Sequence, residues 1–253
     1  MRKYRVLVLV FLISTACKVK KIANYDGENI SVIDTISKSN ELDEIIAPYK
    51  VEMESKMNKV IGHSNYTLTN YNPESPLGNF VSDVIFEAGF QYGIDNDDVS
   101  FEKWNTLCLI NFGGLRAPIN EGDITIGNIY ELMPFDNEIV VVSLSPNQVV
   151  DMLDYLFIKQ GQPISNGQVT MSSDKKILKI GGKVYNMERN INVITSDYLA
   201  KGGDKMNFLK SSLNGSSKML QTGILMRDAL LDYVSAKKEL PKFEVEDRIH
   251  IIR

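Results

Sequence analysis

The sequence predicts a mixed α/β domain of the α+β kind, set behind a leader and a polar tether. Three observations predict it. Apolar residues recur at helical spacing in several segments and form short strand-like runs in others. The two kinds interleave irregularly, without the regular alternation of a parallel α/β repeat. About 210 residues remain once leader and tether are set aside, enough for one substantial core.

In chain order, the leader comes first. Arg2, Lys3 and Arg5 precede an apolar run, Val6 to Ala16, that is too short to span a bilayer as a stable helix. Residues 1–16 therefore read as a secretory signal peptide. The small-residue stretch I-S-T-A leads into Cys17, a layout that resembles a bacterial lipoprotein signal, in which the cysteine becomes the lipidated first residue. Ser14 stands where leucine is usual, and an ordinary cleaved signal with an incidental cysteine is the alternative. Residues 17–40 are read as lipid anchor and flexible tether, and residues 41–253 as the domain. By analogy with other bacterial lipoproteins, Lys18 after Cys17 points to a protein of the cell envelope, held at the outer membrane and facing the periplasm. Net charge is −4 and the charged residues mix both signs, so no nucleic-acid stripe is expected. Of the two cysteines, Cys108 sits in the apolar run L-C-L-I and reads as a small buried hydrophobe. A Cys17–Cys108 disulfide is the other reading.

Four helices are expected. One runs from about Leu42 to Met57. A second carries Leu77, Phe80, Val81, Val84, Ile85 and Ala88 on one face. A third follows Ser145, a cap with Pro146 at the first helical position and Gln148 closing a capping box. Its buried face is Val149, Met152, Leu153, Leu156 and Phe157. A fourth is expected from about Thr222 to Ala236. Strands are expected at Leu107–Asn111, Glu138–Leu144, Gln168–Met171, Ile177–Ile180 and Ile191–Thr195, with Gly181-Gly182 as a hairpin turn.

Three short motifs carry the chemistry. N-F-G-G-L-R (Asn111 to Arg116) follows a strand. Its Gly113 and Gly114 let the backbone turn sharply and approach a ligand, and Arg116 can present a planar fork to hydroxyls, carboxylates or phosphate. D-Y-L-A-K-G-G-D (Asp197 to Asp204) has the same layout. Tyr198 offers a flat face, and Gly202-Gly203 present Asp204 as an acceptor for paired hydroxyls or as a helix cap. M-P-F-D-N (Met133 to Asn137) places Phe135 in a loop between a helix and a strand, where it either tucks into the core or forms the second wall of an aromatic clamp.

Together with E-S-P-L-G-N-F-V-S-D (Glu74 to Asp83), N-F-G-G-L-R-A-P-I-N-E-G-D-I-T (from Asn111), L-M-P-F-D-N (from Leu132), S-D-Y-L-A-K-G-G-D (from Ser196) and the closing D-R-I (Asp247 to Ile249), these motifs resemble the C-terminal domain of the 5′-nucleotidase family over roughly Leu42 to Ile252. The resemblance implies a layered α/β/β/α sandwich. It also implies a substrate-binding site of Asn111, Gly113, Gly114, Arg116, Phe135, Tyr198, Gly203 and Asp204, in which Phe135 and Tyr198 clamp a base, Asn111 reaches base or ribose, Arg116 takes the ribose or phosphate side, and Asp204 holds the ribose hydroxyls. Departures are Tyr198 where many relatives have Phe, Lys205 and Met206 after G-G-D, and Pro73 where many have an arginine. The grip on ribose or phosphate is then weaker, or completed by another chain.

The same resemblance implies catalysis by a separate two-metal metallophosphoesterase domain, rich in Asp, His and Asn ligands. This chain has two histidines, His63 and His250, neither in a ligand motif and both read as structural. No nucleophile elbow, P-loop or Cys/His pair is visible, and Asp197 with Asp204 fits ligand binding better than hydrolysis. No catalytic residue and no metal or cofactor is assigned to this chain; divalent metals are expected on a partner. The expected function is the nucleotide-binding half of a split 5′-nucleotidase. The alternatives are a stand-alone nucleoside- or nucleotide-binding lipoprotein and a domain kept for interaction alone.

Overall fold

The computed structural model of the protein describes residues 40–96, 101–210 and 219–252. The leader, Cys17 and the tether lie outside the described residues. The chain divides into two units, Met1–Ala47 and Pro48–Arg253. Of the first, the described residues 40–47 belong to helix α1 (Asn40–Met57). The second holds every other element.

Those elements begin with β1 (Val60–Ser64), α2 (Pro76–Asp95) and β2 (Thr106–Leu109), followed by a 3-10 turn at Phe112–Gly114. Next come β3 (Gly122–Thr125), α3 (Ile126–Leu132), β4 (Glu138–Leu144) and α4 (Pro146–Lys159). Four strands follow: β5 (Ile164–Ser165), β6 (Gly167–Met171), β7 (Lys176–Ile180) and β8 (Lys183–Val184). The chain then runs through β9 (Ile191–Ser196), the short α5 (Asp197–Ala200), β10 (Met219–Leu225), α6 (Met226–Lys237) and β11 (Ile249–Ile251). No described helix is long and apolar enough to cross a membrane.

The fold is mixed α/β, as the sequence predicts. At its centre is a five-stranded sheet in the order β10-β4-β9-β2-β5. Both faces are covered, which is why β2 and β9 are buried along their whole length. Ile139, Val141, Ile194 and Cys108 face a cluster built on α2, α3 and α6. The alternate residues Val140, Val142, Val193, Leu107 and Leu109 face α4 and the four-stranded sheet β11-β6-β7-β8. Cys108 is free and fully buried, and burial pushes its thiol well above the ordinary value.

Local signals explain the helices. The Ser75 hydroxyl accepts from Gly78 N at 3.0 Å with Pro76 in the first turn, so α2 starts where its cap is. At the start of α4 the Gln148 side-chain oxygen accepts from the Ser145 N–H (3.1 Å) and hydroxyl (2.9 Å). Gly181 and Gly182, both at positive φ, turn β7 into β8. The fourth helix needs correction: it starts at Met226, not Thr222. Residues 219–225 instead form β10, paired antiparallel with β4, and the Thr222 hydroxyl donates to Ile139 O at 2.7 Å. The open edge of β4 outweighs the helical spacing of the side chains.

Candidate functional site

Sheet topology brings the three motifs together. β2 and β9 are parallel neighbours, with Cys108 opposite Ile194. Their C-terminal ends therefore lie side by side, and N-F-G-G-L-R leaves one while D-Y-L-A-K-G-G-D leaves the other. β4 runs antiparallel to β9, with Ile139 opposite Ser196, so the M-P-F-D-N loop enters the sheet at that same end. Ligands in open α/β sheets bind outside the carboxyl ends of strands for this reason. Asn111, Gly113, Gly114, Arg116, Phe135, Tyr198 and Asp204 line one cavity of about 330 Å³, joined by Asn137.

Asp204 is the most constrained residue in it. Asp204 and Lys205 are successive non-glycine residues at positive φ, 50° and 67°. That conformation costs about 1–2 kcal/mol per residue, somewhat less for Asp, and persists only where the surroundings hold it. They do. The Tyr198 hydroxyl donates to Asp204 Oδ1 (3.1 Å) and accepts from Asp204 N (3.2 Å). The Asn111 amide donates to Oδ2, and the Tyr155 hydroxyl on α4 donates to the Asp204 carbonyl at 3.0 Å. Burial, then the nearby Asp204 charge and Tyr198, push the Tyr155 phenol up to about 12.

The walls are exposed aromatics. Phe135 and Tyr198 are 42% and 46% accessible, so the open question about Phe135 resolves toward the cavity rather than the core. Its loop is held from behind by Arg227 on α6. That guanidinium pairs with Asp136, donates to Phe135 O at 3.4 Å and lies 4.2 Å from the Tyr130 ring centroid. Arg116 donates to Gly113 O at 3.2 Å and stands 6.0 Å from the Phe135 ring centroid. Among the described residues no carboxylate pairs with it, so its charge is available to an anion. The turn carrying Gly113 and Gly114 is pinned by Gln162, which accepts from Phe112 N at 2.8 Å.

Gly203 does not line the cavity. A Cβ there would stand 2.4 Å from the Tyr198 ring, so the glycine lets that ring lie against the backbone. Asp197 is not an acid partner of Asp204 either: it accepts from Glu138 N (3.2 Å) and Lys201 Nζ (2.6 Å), locking α5 to β4. Asn137, Tyr155, Gln162 and Arg227 were not singled out from the sequence. Only Asn137 had a signal, its place in M-P-F-D-N. The others act from α4, a connecting segment and α6, and their roles exist only in three dimensions.

Residues 55–211 match the family described as 5′-nucleotidase, C-terminal domain. The chain belongs to this family. It is 26% identical over 234 residues to the trifunctional nucleotide phosphoesterase protein YfkN of Bacillus subtilis, covering 80% of this chain and 15% of that protein. It is 24% identical to the 5′-nucleotidase-related protein of Glossina morsitans morsitans, over 93% of this chain and 46% of the relative. Its fold is similar to that of the 5′-nucleotidase precursor from Thermus thermophilus, with a TM-score of 0.66 at 22% identity, over 83% of this chain and 43% of that one. This 5′-nucleotidase C-terminal domain thus spans less than half the length of each.

The resemblance puts the dinuclear metal site on a separate domain, and the described residues here do not fit such a site. Two metal ions need a dense set of donors. Among the described residues of the 5′-nucleotidase C-terminal domain, no three His, Cys, Asp or Glu side chains gather to hold one ion. The two histidines are half exposed rather than core residues. Nδ1 of His63 lies 3.0 Å from Asp123, and Nδ1 of His250 lies 3.1 Å from Asp247.

Proposed function

We propose that this 5′-nucleotidase C-terminal domain grips the nucleoside end of a nucleotide whose phosphate ester is cleaved by a separate metallophosphoesterase chain. The cavity carries the reading. Two exposed rings, an aspartate whose carboxylate is held by Tyr198 and Asn111 and whose carbonyl is held by Tyr155, and an arginine without a carboxylate partner among the described residues converge on about 330 Å³. Stacking contributes roughly 1–3 kcal/mol per base and tolerates any base. Asp204 suits sugar hydroxyls, and Arg116 suits phosphate. Divalent metals belong to the partner in this scheme, and a lipid on Cys17 holds the protein at the bacterial outer membrane, facing the periplasm.

The test is reconstitution. The purified chain is mixed with a secreted metallophosphoesterase that lacks this domain, and AMP hydrolysis is followed with divalent metal present. Hydrolysis in the mixture and in neither part alone is the expected result. No hydrolysis under any divalent metal defeats the split enzyme. If the chain alone then binds adenosine or AMP by calorimetry, it is a stand-alone binding lipoprotein.

A further inference from the structure

We infer that Tyr155, outside the cavity lining, is a positioning residue that makes the site selective for a vicinal diol, and hence for ribose over sugars lacking those hydroxyls. The inference rests on reading the cavity as a nucleoside site. An ionised carboxylate offers roughly four acceptor positions, two on each oxygen. Tyr198 occupies one on Oδ1 and Asn111 one on Oδ2. One position per oxygen remains, which matches two adjacent O–H donors and is wasted on a sugar that has none.

That match requires the carboxylate to be held in place, and its backbone is the weak point. Asp204 and Lys205 both stand at positive φ, a conformation the free chain leaves readily. Two phenols grip the residue from either side: Tyr198 holds its N–H, and Tyr155 holds its carbonyl. Tyr155 is the better anchored. It projects from α4, whose first turn is tied by Gln148 to Phe208 O at 2.8 Å, and its ring packs on Phe208 with centroids 5.5 Å apart. Removing its hydroxyl leaves both cavity walls and the acid itself in place, and releases only the angle at which the acid is presented.

The experiment measures binding of adenosine and uridine, each against its 2′,3′-dideoxy form, by calorimetry on the native chain, Tyr155→Phe and Tyr198→Phe. The native chain is expected to prefer each ribonucleoside. Tyr155→Phe is expected to cut that preference roughly fivefold, one hydrogen bond's worth, with affinity for the dideoxy forms unchanged because the stacking walls persist. Tyr198→Phe, which keeps the ring, is expected to act in the same direction. Equal weakening of both sugar types by Tyr155→Phe would show a merely structural role and overturn the inference, as would an unchanged preference. A native chain that binds none of the four nucleosides defeats the reading of the cavity itself, an outcome distinct from a preference that Tyr155 does not control.

Discussion

At the scale of single residues, the site is decided by what stands behind the ligand face. Gly203 shows this most simply, since any side chain there collides with the Tyr198 ring at 2.4 Å. Gly203→Ala is therefore expected to displace one wall and weaken adenosine binding about tenfold, with little change in melting temperature, because the Tyr198 ring that must move is 46% exposed. Unchanged binding in calorimetry would contradict that role. Tyr155 carries a second, pH-dependent consequence. Its phenol is raised from 10.0 to about 12 in the folded protein by burial, then by Asp204 and Tyr198. Below pH 10 both folded and unfolded chains keep the proton. Between pH 10 and about 12 the unfolded chain releases it while the folded chain holds it, so this contribution to stability is lost as pH rises. Denaturant titrations across that window are expected to show a shallower alkaline loss for Tyr155→Phe than for the native chain.

At the scale of elements, the readable parts were those whose signals are local. Ser145, Pro146 and Gln148 mark the start of α4 in the sequence, and the structure uses all three. The apolar runs in Glu138–Leu144 and Ile191–Thr195 predict the central strands, and the glycine motifs after β2 and β9, with the M-P-F-D-N loop, supply the cavity residues. The rest depends on pairing across long sequence separations. Residues 222–225, expected as the start of the fourth helix, instead finish β10, because the edge of β4 holds that segment extended. Arg227, 91 residues from Asp136, became legible only once α6 lay under the M-P-F-D-N loop. Its side chain is 8% exposed and donates to the carbonyls of Met133 and Phe135. Arg227→Met fills the space but leaves those carbonyls with one donor fewer. The expected cost is about 2 kcal/mol, or roughly 4–8 °C in melting temperature for a domain of this size. Ligand affinity is expected to fall with it as Phe135 loosens. A melt within a degree of the native chain would mean that the loop stands without its brace.

At the scale of the whole molecule, the end of the chain closes the second unit. β11 pairs parallel with β6, joining the four-stranded sheet, while Arg248 just before it reaches across to α2. Its guanidinium forks onto both oxygens of Asp83, at 2.6 and 2.8 Å, and donates to Ile164 O at 2.9 Å on the edge strand of the five-stranded sheet. Glu74, at the entrance to α2, accepts from the backbone N–H groups of Glu246 and Arg248 at 2.8 and 2.7 Å. One arginine thus ties a helix and two sheets that local packing alone would join less firmly, which gives the D-R-I motif a structural meaning. None of these residues lines the cavity between Phe135 and Tyr198. Stability and binding are therefore expected to separate in Arg248→Met. Breaking a bidentate pair whose arginine is 12% exposed costs about 3 kcal/mol, which corresponds to a melting temperature lower by roughly 6–12 °C. Well below that melt, adenosine affinity should equal that of the native chain. A loss of affinity at low temperature would show that the closing segment also shapes the cavity, and an unchanged melt would show that the packing of β11 against β6 closes the fold without the arginine.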